Sequence, residues 1–367
     1  MKVPFIDYTR TYNSLKEEIN AAIFNCLNNG DLIFRNELKR FEEDFSDYCG
    51  VKHGIGTGSC TGALFLALKA LGIGLLDEVI TVSHTYVATI DSIVHAGATP
   101  VLVDVEYNSM NMDPKEVEKA ITPKTKAIIP VHLNGLMCDM DSLMEIAMKH
   151  NLYLIEDAAQ SPGADYNGNR AGSCSDIACF SFYPAKVLGG YFEGGMAVTN
   201  NDELASKLYL LRDHGEWPSY LEAGEKGEIY GWGYNSILDN IAASVLNVKL
   251  KYLPEFIEKR RYIANRYFDG LNEIKDIILP FSNVYQNYVI RTEKRNELKE
   301  YLTEHGVETL VSWETPNHKQ KGLVELNHFN LPVTERISNE VLSLPMYEGL
   351  TEKEIDYVIE TIRSYFS

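Results

Sequence analysis

Lys186 closes the run Ser181-Phe-Tyr-Pro-Ala-Lys186 and leads into a glycine-rich stretch, Gly189-Gly-Tyr-Phe-Glu-Gly-Gly195. A lysine amine is a weak nucleophile while it is protonated and hydrated. In a pocket, or beside other cationic character, its pKa falls and it can form an imine with an aldehyde. Asp157 ends the apolar run Leu154-Ile-Glu-Asp157, which puts an acid at the carboxyl end of a buried strand, where α/β sheets bind ligands. Gly54-Ile-Gly-Thr-Gly-Ser-Cys-Thr-Gly62 precedes the apolar stretch 63–71 and reads as a glycine-rich turn opening a helix, with Gly58-Ser-Cys-Thr-Gly62 at the helix start. Such a helix start offers backbone N–H groups and a positive dipole end to a phosphate.

Each piece also has an ordinary reading. A loop lysine is usually just solvated, and an acid after a strand often caps a helix. A glycine-rich turn before a helix also suits nucleotide sites. The combination, in this order, points to pyridoxal phosphate. That cofactor needs an imine-forming lysine, a carboxylate that keeps the pyridine nitrogen protonated, and a phosphate cradle. Ser181, just upstream of Lys186, could add a hydroxyl to the cradle.

The elements that must position these residues follow from hydrophobic patterning. Residues 12–48 are helical in pattern, with a turn at Asn29-Gly30-Asp31. Strands are predicted at 79–82, 100–105, 127–131, 152–156, 177–182 and 195–199, alternating with helices that include 86–96 and 140–150. Alternating strands and helices, with apolar runs in the strands, predict an α/β domain with a mostly parallel sheet covered on both faces. From about Asp239 the pattern changes to one or two long helices over 239–268, then strands at 285–291 and 308–312 and helices at 294–305 and 351–364. This predicts a large domain over 1–245 and a smaller C-terminal α+β domain over 246–367.

The chain has 367 residues and a formal charge of 34 − 52 = −18. Such acidity disfavours nucleic acid and anionic membranes as partners. No apolar run approaches a membrane span, and the start Met-Lys-Val-Pro-Phe-Ile-Asp has no signal-like apolar region, so a cytoplasmic location is expected. The six cysteines (Cys26, Cys49, Cys60, Cys138, Cys174, Cys179) contain no Cys-x-x-Cys pair. They read as reduced thiols, with neither a disulfide framework nor a metal site.

Longer motifs carry a resemblance. They are Pro4-Phe-Ile-Asp7, Ser59-Cys-Thr-Gly-Ala-Leu64, Val82-Ser-His-Thr-Tyr-Val-Ala-Thr89, Ala96-Gly-Ala-Thr-Pro-Val101 and Ile128-Ile-Pro-Val-His-Leu-Asn-Gly135. Downstream come Glu156-Asp-Ala-Ala-Gln160, Ser181-Phe-Tyr-Pro-Ala-Lys186, Glu193-Gly-Gly195, Arg212-Asp-His-Gly215 and Gly233-Tyr-Asn-Ser236. With these the chain resembles the DegT/DnrJ/EryC1/StrS sugar aminotransferases, within the fold-type I pyridoxal phosphate enzymes. The resemblance implies that Lys186 forms the Schiff base and shuttles protons, and that Asp157 pairs with the pyridine nitrogen. It further implies that Gln160 bonds the phenolic oxygen, Tyr86 stacks on the ring, and Thr61, Gly62 and Ser181 hold the phosphate. Asn235 would reach the phosphate of a neighbouring subunit, which implies a homodimer with shared sites. The implied reaction is ping-pong transfer of an amine from L-glutamate, which leaves as 2-oxoglutarate, to a nucleotide-linked keto sugar.

The sequence departs from the family pattern at Arg35-Asn36-Glu37, where relatives have Gly-Pro-Glu, and at Ile237, often Arg. Two other functions of the same fold are a sugar dehydratase, which needs a non-lysine base at 186, and a silent regulator, which would lack Lys186 or Asp157. Both residues are present. The Leu-Gly pattern of 186–195 leans towards 3-keto sugars, with Tyr191 as a substrate candidate and His318, in Pro316-Asn-His-Lys-Gln320, as another. His84 and His132 are expected to be satisfied core histidines, and Tyr230, Trp232 and Tyr234 to be packing residues. The run Lys259-Arg-Arg261 reads as a solvated helix face.

Overall fold

The computed structural model describes residues 1–218, 221 and 228–367. Short apolar runs form β1 (His53–Thr57), β2 (Glu78–Val82), β3 (Thr99–Val103), β4 (Thr125–Ile128) and β5 (Tyr153–Asp157). A small ribbon, β6 (Asp165–Tyr166) with β7 (Asn169–Arg170), is followed by β8 (Ile177–Ser181) and β9 (Gly195–Thr199). All except the ribbon join one seven-stranded sheet in the order β1-β9-β8-β5-β4-β2-β3. Only β9 is reversed; its pairings with β1 and β8 are antiparallel, and the other neighbours in the sheet run parallel.

Side-chain alternation along the strands splits the interior into two cores, one on each face of the sheet. Leu154, Ala178, Phe180, Met196 and Val198 join a cluster with Leu38, Phe41 and Phe45 of helix Asn36–Cys49 and Val245 of helix Asn240–Leu250. Ile155, Ile177, Cys179 and Ala197 face the other way, against Ala63, Leu64 and Ala67 of helix Cys60–Ala70 and Leu208 of helix Asp202–Arg212. A sheet covered on both faces must end its strands in loops, and the parallel strands end together, so their following loops share one edge.

Part of the expected glycine-rich turn is strand instead. Gly54 and Gly56 lie in β1, and only 58–59 turn before the helix. Crowding explains the glycines. A Cβ at Gly54 would sit 2.6 Å from the carbonyl oxygen of Glu42, and one at Gly56 2.9 Å from Leu38 Cδ1. Glycine here lets helix Asn36–Cys49 lie directly on the strand.

The C-terminal part pairs β10 (Tyr288–Arg291) with β11 (Val341–Leu344), packed on helices Leu253–Leu271, Arg295–Glu304 and Glu352–Phe366. The strand expected at 308–312 is not formed. That segment divides its pairing between Val3, which accepts from the Glu308 N–H at 2.9 Å, and Ser343, bridged to Leu310, so no continuous ladder develops. Val3 is buried in this C-terminal core, and helix Asn240–Leu250 runs unbroken through position 245. Arg260 corrects the reading of 259–261 as a wholly solvated face. It shares the buried face of its helix with Phe256, Ile257, Ile263 and Ala264, and pairs with Glu348 at 2.6 Å. Among the described residues no helix is long and apolar enough to cross a membrane, and no cluster of His, Cys, Asp or Glu could hold a metal ion.

Candidate active site

Asp157 ends β5 and is almost fully buried. Its Oδ2 accepts from the Thr89 hydroxyl at 2.7 Å and its Oδ1 from the Ala159 N–H at 3.2 Å. Burial raises the carboxyl above its ordinary value, and those hydrogen bonds and the nearby Lys186 offset it only in part. Lys186 lies in the loop after the adjacent strand β8 and is partly buried. Burial lowers its amine, against the opposing pull of Cys60 and Asp157. The two residues that sequence reasoning singled out are therefore electrostatic neighbours at one edge of the sheet.

The helix start beside them has the donors a phosphate needs. Ser59 caps helix Cys60–Ala70 by accepting the Gly62 N–H at 3.1 Å. That leaves the Cys60 and Thr61 N–H groups of the first turn without intrahelical partners. The Gly62 amide is thus spent on the cap, while Thr61 keeps its donor. A Cβ at Gly62 would lie 2.5 Å from Ser236 Oγ, so only glycine lets the 235–237 segment close over the turn. Ser181 ends β8 opposite Gly195 of β9; its oxygen accepts from the Tyr183 N–H at 3.3 Å, which leaves its hydroxyl proton free to donate.

Gln160 accepts the Asn134 N–H at 2.8 Å through Oε1, so its amide NH₂ is directed elsewhere. Tyr86, in the turn after β2, is 64% exposed, leaving its ring face open to a ligand. An orphaned pair of helix amides, a hydroxyl donor, a buried acid, a desolvated amine and an open aromatic ring form a donor set that fits pyridoxal phosphate.

Other expectations are corrected. His318 is fully buried and both ring nitrogens are engaged, Nδ1 with Ser83 Oγ at 2.8 Å and Nε2 with Glu335 at 3.1 Å, so it ties its loop to the turn after β2. Asn235 is exposed and bridges Asp213, in the segment that leads to helix Asn240–Leu250. Trp232 is not a packing residue among the described residues, being 98% exposed, whereas Tyr234 meets Phe65 edge-on at 4.7 Å. Tyr191 lines a narrow cleft with Lys186, its hydroxyl buried without a partner among the described residues and its ring 5.1 Å from the Lys249 amine.

The expected core histidines behave differently from each other. His132 is satisfied, accepting the Cys138 N–H at 3.2 Å and donating to Glu156 at 2.8 Å. Among the described residues His84 Nδ1 has no partner, and burial, then Arg291, lowers its pKa to about 4.

Sequence reasoning missed Thr89, Gln286 and Lys249. Thr89 lies one helical turn beyond Tyr86 in a motif already noted, a spacing that places both near one strand end. Gln286 and Lys249 come from distant segments and carry no local signal.

The fold and this site define the class: a pyridoxal phosphate-dependent aminotransferase of fold type I. The chain matches the DegT/DnrJ/EryC1/StrS aminotransferase family over residues 13–363, and it belongs to that family. It is 39% identical to the dTDP-3-amino-3,4,6-trideoxy-alpha-D-glucose transaminase of Streptomyces venezuelae, over 99% of this chain and 96% of the relative. It is 41% identical to a Geobacillus stearothermophilus protein named a pleiotropic regulatory protein, over 100% of this chain and 99% of the relative. Among solved structures, S. venezuelae DesV in complex with a ketimine intermediate superposes with a TM-score of 0.95 at 39% identity, covering 100% of this chain and 99% of that one.

Proposed function

We propose that this enzyme transfers an amine from L-glutamate to a nucleotide-linked 3-keto sugar, as a homodimer with shared sites. The observation that carries the reading is the electrostatic pairing of a desolvated Lys186 with a buried, under-satisfied Asp157 at the ligand-binding edge of the sheet. The amine at carbon 3 in the Streptomyces relative's name supports the 3-keto lean. The regulatory name of another relative does not favour a silent protein here, because both chemical residues are present.

Bound at this edge, the cofactor supplies an aldehyde that takes up and returns amino groups, and a ring that spreads negative charge. The Cys60 and Thr61 amides and the Ser181 hydroxyl hold the phosphate. Tyr86 covers a ring face, and the Gln160 NH₂ donates to the ring oxygen. Asp157, aimed by Thr89 and Ala159, keeps the ring nitrogen protonated. Lys186, its amine lowered by burial, removes and returns the proton at the reacting carbons, as a general base must sit near the proton it moves. The same roles run in both half-reactions, first with glutamate and then with the sugar.

Leu32 and Ile33 are exposed in the segment that receives the Asn240 N–H, five residues beyond Asn235, and these uncovered apolar side chains support a partner subunit there. Assaying a panel of dTDP-, UDP- and GDP-linked keto sugars with glutamate tests the reaction. Appearance of 2-oxoglutarate and a 3-amino sugar is expected; turnover of 4-keto sugars alone would overturn the 3-keto assignment. Mixing inactive Lys186→Ala subunits with inactive Asn235→Ala subunits should restore up to one native site per heterodimer. No recovery in a verified mixture would rule out sharing through Asn235.

A further inference from the structure

The peptide groups on either side of Lys186 are held by a residue from the C-terminal part of the chain. The Ala185 carbonyl accepts from Gln286 Nε2 at 2.8 Å, and the Val187 N–H donates to Gln286 Oε1 at 3.0 Å. One side-chain amide therefore brackets Lys186 much as a neighbouring strand would. Its orientation is set by chemistry, since flipping it would place NH₂ against N–H and oxygen against oxygen.

Gln286 is itself immobilised. It is 5% exposed, its N–H donates to the Asn134 carbonyl at 3.1 Å, and its carbonyl accepts from Arg260 at 3.0 Å. Arg260 is tied to Glu348 at 2.6 Å. Asn134, in turn, donates its N–H to Gln160. A continuous line of hydrogen bonds thus joins Gln160, on the cofactor's side, to the backbone that carries Lys186. Lys249 adds a further hold on the same loop by donating to the Gly189 carbonyl.

We propose that Gln286 is a positioning residue for Lys186, fixing where its amine stands relative to Asp157 and Gln160. A lysine has a long flexible stem, so the reach of its amine depends on where its backbone is anchored. Proton transfer between two carbons requires that anchor to hold to a fraction of an ångström. The inference rests on the reading of Lys186 as the residue that links the cofactor. A merely structural Gln286 would satisfy two loop groups and influence stability alone.

The test uses the holoenzyme with Gln286→Met, which removes both hydrogen bonds at similar volume. The variant should lower kcat on the order of tenfold to a hundredfold while KM for glutamate stays within about twofold. It should also shift the pH midpoint of the bound cofactor's absorbance and speed hydrogen–deuterium exchange across 183–190. A lowered melting temperature with unchanged kcat and pH midpoint would overturn the proposal. Should Gln286→Met fail to fold, Gln286→Glu serves with the same outcomes, because it keeps the acceptor for Val187 and sets a carboxylate against the Ala185 carbonyl. Borohydride reduction followed by peptide mapping separates the two readings. Attachment of cofactor elsewhere than Lys186 overturns the functional reading and this inference with it. Attachment at Lys186 with an unshifted midpoint overturns this inference alone.

Discussion

Glu156 and Asp157 are consecutive acids at the end of one strand, both buried, and they have opposite fates. Glu156 collects four donors from within the protein: His132 at 2.8 Å, the Gly172 N–H at 2.9 Å, the Cys174 N–H at 3.2 Å and Ser175 Oγ at 2.7 Å. Burial pushes its carboxyl up, but these bonds outweigh burial and hold it below the usual carboxylate range. Asp157 has only Thr89 and Ala159, and burial wins. Strand alternation turns them to opposite faces, one into a closed network and one to the ligand edge. A buried acid whose acceptor capacity is filled serves structure, while one left short of donors is poised for a cationic ligand group.

Substitution at Asp157 gives the largest expected effect. Asp157→Asn in the holoenzyme should lose on the order of a hundredfold or more in turnover, because an amide cannot hold the ring nitrogen's proton. Steady-state kinetics with near-wild-type kcat would contradict the role.

Glu156→Gln should act on stability instead. An amide NH₂ would face donors that now meet an oxygen, at a cost of about 3 kcal/mol. Chemical denaturation measures this, and turnover per folded molecule should stay close to wild type. A hundredfold activity loss with unchanged stability would erase the distinction between the two acids.

Acid titration sharpens the contrast. The folded Glu156 carboxyl is depressed, so its contribution is fully present above the unfolded value of about 4.3 and is lost as pH falls through the folded value. The stability gap between wild type and Glu156→Gln should therefore narrow as pH drops below about 4.3. A gap independent of pH down to acid unfolding would show that the charge is not what matters.

The smallest effect has the opposite sign. In cofactor-free protein the raised Asp157 carboxyl contributes stability that is fully present below its unfolded value of about 3.9 and is lost as pH rises through the folded value. Asp157→Asn should then be at least as stable as wild type at neutral pH. Thermal melts of both apoproteins would decide it, and a clear loss on substitution would mean Asp157 is already satisfied without its cofactor.

Much of this molecule was legible in its residues. Apolar runs at 79–82, 177–182 and 195–199 announced strands because a strand covered on both faces must be apolar throughout. Lys186 and Asp157 were visible because each chemical type sits beside a strand end, a local relation that sequence spacing preserves. Other features depended on groups far apart in the chain. Gly54 and Gly56 looked like a turn until helix Asn36–Cys49 was seen pressing on them, and Arg260 looked solvated until its helix face met Glu348 and the carbonyls of Tyr285 and Gln286. His318 lay in a loop that resembled a substrate contact, but folding closed Ser83 and Glu335 around both of its nitrogens. By itself the sequence determined most of the element order and singled out an acid and an amine beside neighbouring strand ends, because periodicity and residue type are local. Tertiary structure alone decided which acid is satisfied and what brackets Lys186, because hydrogen bonds such as those of Gln286 join segments that no spacing rule relates.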